Sequence, residues 1–194
     1  MPLPSLAARM AEFHSEIDRM ALWSGHLPSA PRWVHQLNEL RFVRATLAWE
    51  EFVEQSFVCY LRGSRSVLGH AYMLAQPVAP NLVAALSLAI GPAPYGKWLN
   101  ERWTLTRASH LFVGTHPYIV LASPSFPEIR AIRNRIVHRS ENARNEFQQA
   151  VVSIHGAARP GMTPGRLLSE DLGGASRIDT YLNLLKTVGT LVAN

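Results

Sequence analysis

Three features of the sequence predict an all-α protein, an up-and-down helical bundle with additional peripheral helices. Apolar residues recur at three- and four-residue steps, the Gly- and Pro-free stretch from about 34 to 61 is apolar on nearly every side, and no alternating run can build a sheet. A helix that is apolar all round is the central element of a bundle. The 194 residues suffice for one domain with a real core. Hydrophobic residues make up 47% and charged residues 17%, the latter below the roughly 25% of ordinary soluble domains. That balance excludes disorder, a collagen-like repeat and an extended coiled coil, and it hints at a surface covered by a second copy.

The elements follow in order. Residues 4–22 set Leu6, Met10, Phe13, Ile17 and Met20 on one stripe, and Gly25, Pro28 and Pro31 end that helix. In the 34–61 helix Leu40, Val43, Leu47, Val58 and Leu61 form one stripe, with Phe42, Trp49 and Val53 opposite. Glu50, Glu51 and Glu54 interrupt the first stripe; either they are solvated, or one reaches inward to a buried arginine. Arg41, Arg44 and Arg62 are expected to snorkel from this helix. Residues 63–80 read as a loop, and 81–90 and 97–113 as two helices separated by Gly-Pro-Ala-Pro-Tyr-Gly. Tyr118–Leu121 is expected to be a loop or a helix end. Ser125-Phe126-Pro127-Glu128 has capping-box spacing with proline in the first turn. The helix it starts runs either unbroken to about Ile154 or with a joint at Ser140. From Gly156 to about Ser176 the composition is that of a linker, and the last helix, 177–192, carries an apolar face that docks on the bundle. The chain thus divides into an N-terminal helix and linker (1–33), a helical bundle (34–155), and a Gly/Pro-rich linker with a docking helix (156–194).

Charge and cysteine content narrow the function. Nineteen Lys plus Arg against fourteen Asp plus Glu give +5, and Lys97 and Lys186 are the only lysines. Arginine grips planar anions bidentately, so the bias points to phosphate or carboxylate partners. A single cysteine, Cys59, rules out an internal disulfide and a cysteine-based zinc site, and its apolar neighbours make it a buried small hydrophobe. The start of the sequence has no apolar signal core, and the 82–90 stretch is too short to span a bilayer, so the expectation is a cytoplasmic protein without membrane association.

The densest charge lies between Glu128 and Arg144, where five arginines (130, 133, 135, 139 and 144) face two glutamates, 128 and 141, for a local +3. Ile129, Ile132 and Ile136 share the face that must meet the core. On a continuous helix Asn134 and His138 stack one turn apart, and Arg133 lies about 140° from His138.

Arg133-Asn134-Arg135-Ile136-Val137-His138 resembles the catalytic signature of the HEPN superfamily, an arginine followed by a polar residue and, a few positions on, a histidine. Trp49-Glu50-Glu51-Phe52-Val53-Glu54 is similar to the earlier core helix of the RiboL-PSP and MAE-like HEPN groups, and the resemblance spans residues 35–155. It implies a helical bundle of HEPN type and a metal-independent endoribonuclease without cofactor, a toxin or phage-defence effector acting as a homodimer on RNA. His138 would move protons, Arg133 would clamp the phosphoryl oxygens, and Asn134 would hold the imidazole or the phosphate. Glu50 or Glu54 would contact Arg133 and fix its rotamer. Arg130, Arg135, Arg139 and Arg144 would add salt-sensitive affinity for the RNA backbone. Because Arg133 and His138 diverge on one helix, two helices meeting across a two-fold axis would pair them. In HEPN toxins silenced by adenylylation a tyrosine stands two residues past the histidine; here that residue is Ser140, which leaves a different antitoxin or inhibitor protein as the regulatory partner. The alternative is a catalytically inactive HEPN-like dimer that binds RNA or protein through the same arginines. His110, His116 and His138 match no metal-ligand spacing, no GxSxG elbow or phosphate-binding glycine loop occurs, and His26, His35, His70 and His155 read as surface or structural.

Overall fold

The computed structural model describes residues 5–23 and 30–194. Among these the chain is all helical: α1 (Leu6–Leu22), α2 (Pro31–Leu61), α3 (Leu82–Ile90), α4 (Glu101–Leu111), a 3-10 turn (Pro117–Leu121), α5 (Ser125–Val137), α6 (Glu141–His155), α7 (Pro164–Leu168) and α8 (Arg177–Ala193). Extended pairing among the described residues is limited to two isolated bridges, Leu74 with Phe112 and Asp171 with Ser176. The break expected at Gly25 and Pro28, and His26 with it, lies outside the described residues. No helix among them is long and apolar enough to cross a membrane.

The 31-residue α2 is the axis of the bundle, in contact with α1, α3, α5, α7 and α8. Trp49 is fully buried between Phe13 of α1 and Phe126 of α5, with ring centroids 5.8 and 5.3 Å away. The stripe predicted on α2 holds only in its C-terminal half. Val58 and Leu61 are buried, but Leu40 and Leu47 are 49% and 52% exposed, and the core face is Phe42, Ala45, Trp49, Phe52 and Val53. The C-terminal half packs under the loop whose Ala79 N–H donates to Leu61 O, whereas the described residues leave about half of Leu40 and of Leu47 uncovered. Arg41 does not snorkel. It is 1% exposed and donates to Met20 O (2.8 Å), Asn38 Oδ1 (2.8 Å) and Asp179 Oδ1 (2.9 Å), tying α1, α2 and α8 at one point. Arg44 lies over the Trp23 ring, 5.7 Å from its centroid, and Arg62 is exposed.

Four further boundaries differ from expectation. α4 begins at Glu101, because the Asn100 side chain accepts the Trp103 N–H (3.0 Å) and residues 97–99 remain outside the helix. Residues 117–121 form the 3-10 turn, in which Tyr118 stacks on Phe57 at 3.9 Å and bonds Ser56 at 2.9 Å. The capping box at Ser125 does not form; α5 has no side-chain cap, and Glu128 instead accepts the Tyr181 hydroxyl at 3.0 Å, which fastens α5 to α8. The expected linker contains α7, capped by Thr163 (3.3 Å to Arg166 N), with Leu167 and Leu168 buried. Here backbone meets backbone: a Cβ on Gly165 would stand 2.6 Å from His35 O, so only glycine fits, and the Gly165 N–H donates to the Glu39 carboxylate (2.8 Å). α8 docks as expected through Ile178, Tyr181, Leu182 and Leu185. One hydrophobic cluster joins all of these elements, from Leu6 to Ala193.

Candidate functional site

α5 is held by its isoleucines. Ile129 and Ile132 are buried and Ile136 packs on the same core, which turns Arg130, Arg133 and Asn134 towards α2 and the loop before α4. The helix ends at Val137. Ser140 accepts the Ala143 N–H at 3.3 Å and caps α6, so the joint falls where one sequence reading placed it. His138 still donates its backbone N–H to Asn134 O (2.8 Å), but its own backbone is extended (φ −117°, ψ 134°). The expected stacking of Asn134 and His138 on a continuous helix, and the separation of about 140° between Arg133 and His138, therefore do not apply. His138, in extended backbone just past the helix, lines the same cleft as Arg133.

That cleft has a volume of about 470 Å³ and is lined by Glu50 of α2, by Tyr95–Asn100 of the loop, and by Arg130, Arg133, Asn134 and His138. Three cations, Lys97, Arg130 and Arg133, face one carboxylate, Glu50. The donors of the two guanidinium groups are only partly used. Arg133 reaches Glu50 Oε2 and Asn134 Oδ1 at 3.4 Å each, both long for charge-assisted bonds, and its Nε is buried without an acceptor. Arg130 Nε stands 3.8 Å from Glu101 Oε2, an ion pair without a hydrogen bond, and is likewise buried without an acceptor. Both Nε atoms are shut off from solvent, so what the cleft offers an incoming anion is the exposed remainder of these side chains, 32% for Arg130 and 22% for Arg133. A larger groove of about 530 Å³ between α1 and α2 carries Glu12, Glu16 and Glu51 against Arg9, the wrong sign for a phosphate.

The other expected site residues separate into groups. Glu50 makes the anticipated contact with Arg133, its carboxyl pushed up from the ordinary range by burial, with the arginine pulling the other way. Glu54 accepts the Trp98 indole N–H at 2.9 Å and so positions the loop. The Asn134 amide is engaged at both ends, accepting from Arg133 and donating to Glu146 Oε2 (3.4 Å), while Glu146 Oε1 accepts from Asn142 (2.9 Å). Asn134 therefore orients Arg133. Arg135 reaches the His138 carbonyl at 3.5 Å, and Arg139 and Arg144 are exposed; none of the three lines the cleft. Among the described residues no three His, Cys, Asp or Glu side chains gather as metal ligands.

Sequence reasoning missed the loop wall, Tyr95, Lys97 and Trp98, because it read residues from 97 onwards as helix. The one signal was Lys97 itself, one of two lysines in an arginine-rich chain and next to a Tyr-Gly turn.

Burial makes Glu50 a pH-dependent element. A carboxyl whose folded pKa lies above its ordinary 4.5 contributes stability that is complete below 4.5 and is lost as pH rises through the folded value. Wild type is therefore expected to lose denaturant resistance as pH rises above 4.5, and Glu50→Gln to lose less. Equal slopes of denaturation midpoint against pH in the two proteins would contradict this.

No protein-family model, curated protein or solved structure matches this chain.

Proposed function

We propose that the protein is a metal-independent endoribonuclease of HEPN type, with Arg133 and His138 as its working pair. The observation that carries this reading is their presence in one cleft that Lys97 and Arg130 also line. RNA brings its own nucleophile. The 2′-oxygen bonds to phosphorus, the bond from phosphorus to O5′ breaks, and the products are a 2′,3′-cyclic phosphate and a 5′-hydroxyl. An imidazole can take the 2′-proton near neutral pH. Arg133, oriented by Asn134 and Glu50, offers donors to the charge that grows on the phosphorane oxygens. Arg130 supports binding from within the cleft, and Arg135, Arg139 and Arg144 from the surface beside it.

The proposed assembly is a homodimer. Trp33, Leu40 and Leu47, seven residues apart on α2, are 58%, 49% and 52% exposed, and the helix that presents them also carries Glu50. A second copy would cover this stripe, and its imidazole would protonate the leaving O5′. Leu40→Asp combined with Leu47→Asp is expected to convert a dimer to a folded monomer in light scattering; a monomeric wild type would remove this part of the proposal. The proposed setting is cytoplasmic, as a toxin or phage-defence effector held in check by an inhibitor protein over the cleft.

One observation favours a second reading. No hydrogen bond among the described residues orients the exposed His138 ring, as a binding module without catalysis would allow. Incubation with total RNA in EDTA separates the two. Cleavage by wild type that His138→Ala and Arg133→Ala both abolish supports the nuclease. Retention of RNA without cleavage, indifferent to His138→Ala, supports the binding module, and absence of both activities overturns the RNA assignment.

A further inference from the structure

Between α3 and α4 the chain forms a wall of the cleft, and that wall is pinned. Trp98 and Leu99 are buried, the Trp98 indole donates to Glu54, and its ring packs on Phe57 (5.0 Å) and Trp103 (4.9 Å). Asn100 N closes a turn onto Lys97 O at 2.8 Å. Gly96 crosses the indole so closely that a Cβ there would overlap Trp98 Nε1. The tyrosine on this anchored segment is the exception: Tyr95 lines the cleft with its side chain 64% exposed. It is beside Lys97 and shares the cleft with Arg130 and Arg133. The packing of the loop is accounted for by Trp98 and Leu99 and does not need the Tyr95 ring. An exposed aromatic face carried beside cations is an arrangement by which proteins hold unpaired nucleotides, since a base inside a duplex has both faces covered by its neighbours.

We propose that Tyr95 is a stacking platform for an unpaired base adjoining the phosphate at Arg133, which makes single-stranded RNA the substrate class, with Lys97 meeting a neighbouring phosphate. This rests on the RNA-cleavage reading above and specifies its substrate. Stacking follows the ring and tolerates loss of the hydroxyl, whereas the lysine acts through charge alone and reads no strand state.

The test is fluorescence anisotropy with a short, labelled 2′-O-methyl RNA, which offers no nucleophile, as a single strand and as a blunt duplex. Wild type is expected to prefer the single strand. Tyr95→Ala should weaken single-strand binding by about tenfold and leave duplex binding unchanged. Tyr95→Phe should restore the preference. Lys97→Ala should weaken both forms equally and lower the slope of log affinity against log salt by about one. Because Tyr95 is exposed, unchanged thermal melting of the variants checks that the fold is intact. If wild type binds RNA while Tyr95→Ala keeps the single-strand preference, the stacking role is overturned and the assignment to RNA stands. If wild type neither binds nor cleaves RNA of either form, both fall together.

Discussion

His138→Ala is expected to lower RNA cleavage by roughly 10²- to 10⁴-fold, the range set by loss of a positioned general acid or base. Thermal stability should be unchanged, because the His138 side chain is exposed and its structural contribution is the backbone bond to Asn134, which alanine retains. His138→Gln, which keeps a polar side chain but cannot exchange protons near neutrality, should be as inactive as alanine. Turnover and melting measured on the same preparations check this. An active His138→Ala protein would remove the imidazole from the mechanism.

Arg133→Ala should cost roughly 10²- to 10³-fold in turnover, the scale reported by removal of one donor to a developing oxyanion. Unlike His138→Ala, it should also destabilise the fold, since Glu50 would be left three-quarters buried without its cation. Arg133→Ala with Glu50→Gln should recover the stability but not the activity, because the neutral amide needs no counter-charge while the phosphoryl clamp stays absent. Arg133→Lys should remain impaired, since a point charge cannot engage Glu50, Asn134 and a phosphate through one planar fork. Paired denaturation and rate measurements separate these outcomes. Full activity in Arg133→Ala would show that the cleft binds its anion elsewhere.

The helices were legible where burial is one-sided. α1 and α8 each show a single apolar stripe, and Phe13, Ile17, Tyr181 and Leu185 are buried as their spacing predicts. α2 was harder, because apolar residues on every side leave the core face undetermined. Tertiary cover decides it, burying Phe42 and Trp49 and leaving Leu40 and Leu47 outside. Arg41 illustrates the same limit: its burial depends on Met20 and on Asp179, 138 residues further along the chain, which no local pattern reveals.

The site was half legible. The spacing of Arg133 and His138 pointed to a segment that lines the cleft, and of the two acids expected to meet Arg133, Glu50 or Glu54, it is Glu50 that does. What periodicity could not supply was the end of α5 at Val137. Ser140 competes for the backbone as a cap of α6, and that competition sends His138 out of helical register and into the cleft beside Arg133. The same blindness hid α7, whose five residues are too few for a period, and the 91–100 wall, whose position depends on Gly96 passing the Trp98 ring.

The most direct measurement uses a single-stranded oligonucleotide that is deoxyribose throughout except for one ribonucleotide, incubated with the protein in EDTA. Scission is expected only on the 3′ side of that ribonucleotide, leaving a 2′,3′-cyclic phosphate on one fragment and a 5′-hydroxyl on the other. Scission at deoxyribose positions, a 5′-phosphate product, or no cutting until a divalent metal is added would contradict it.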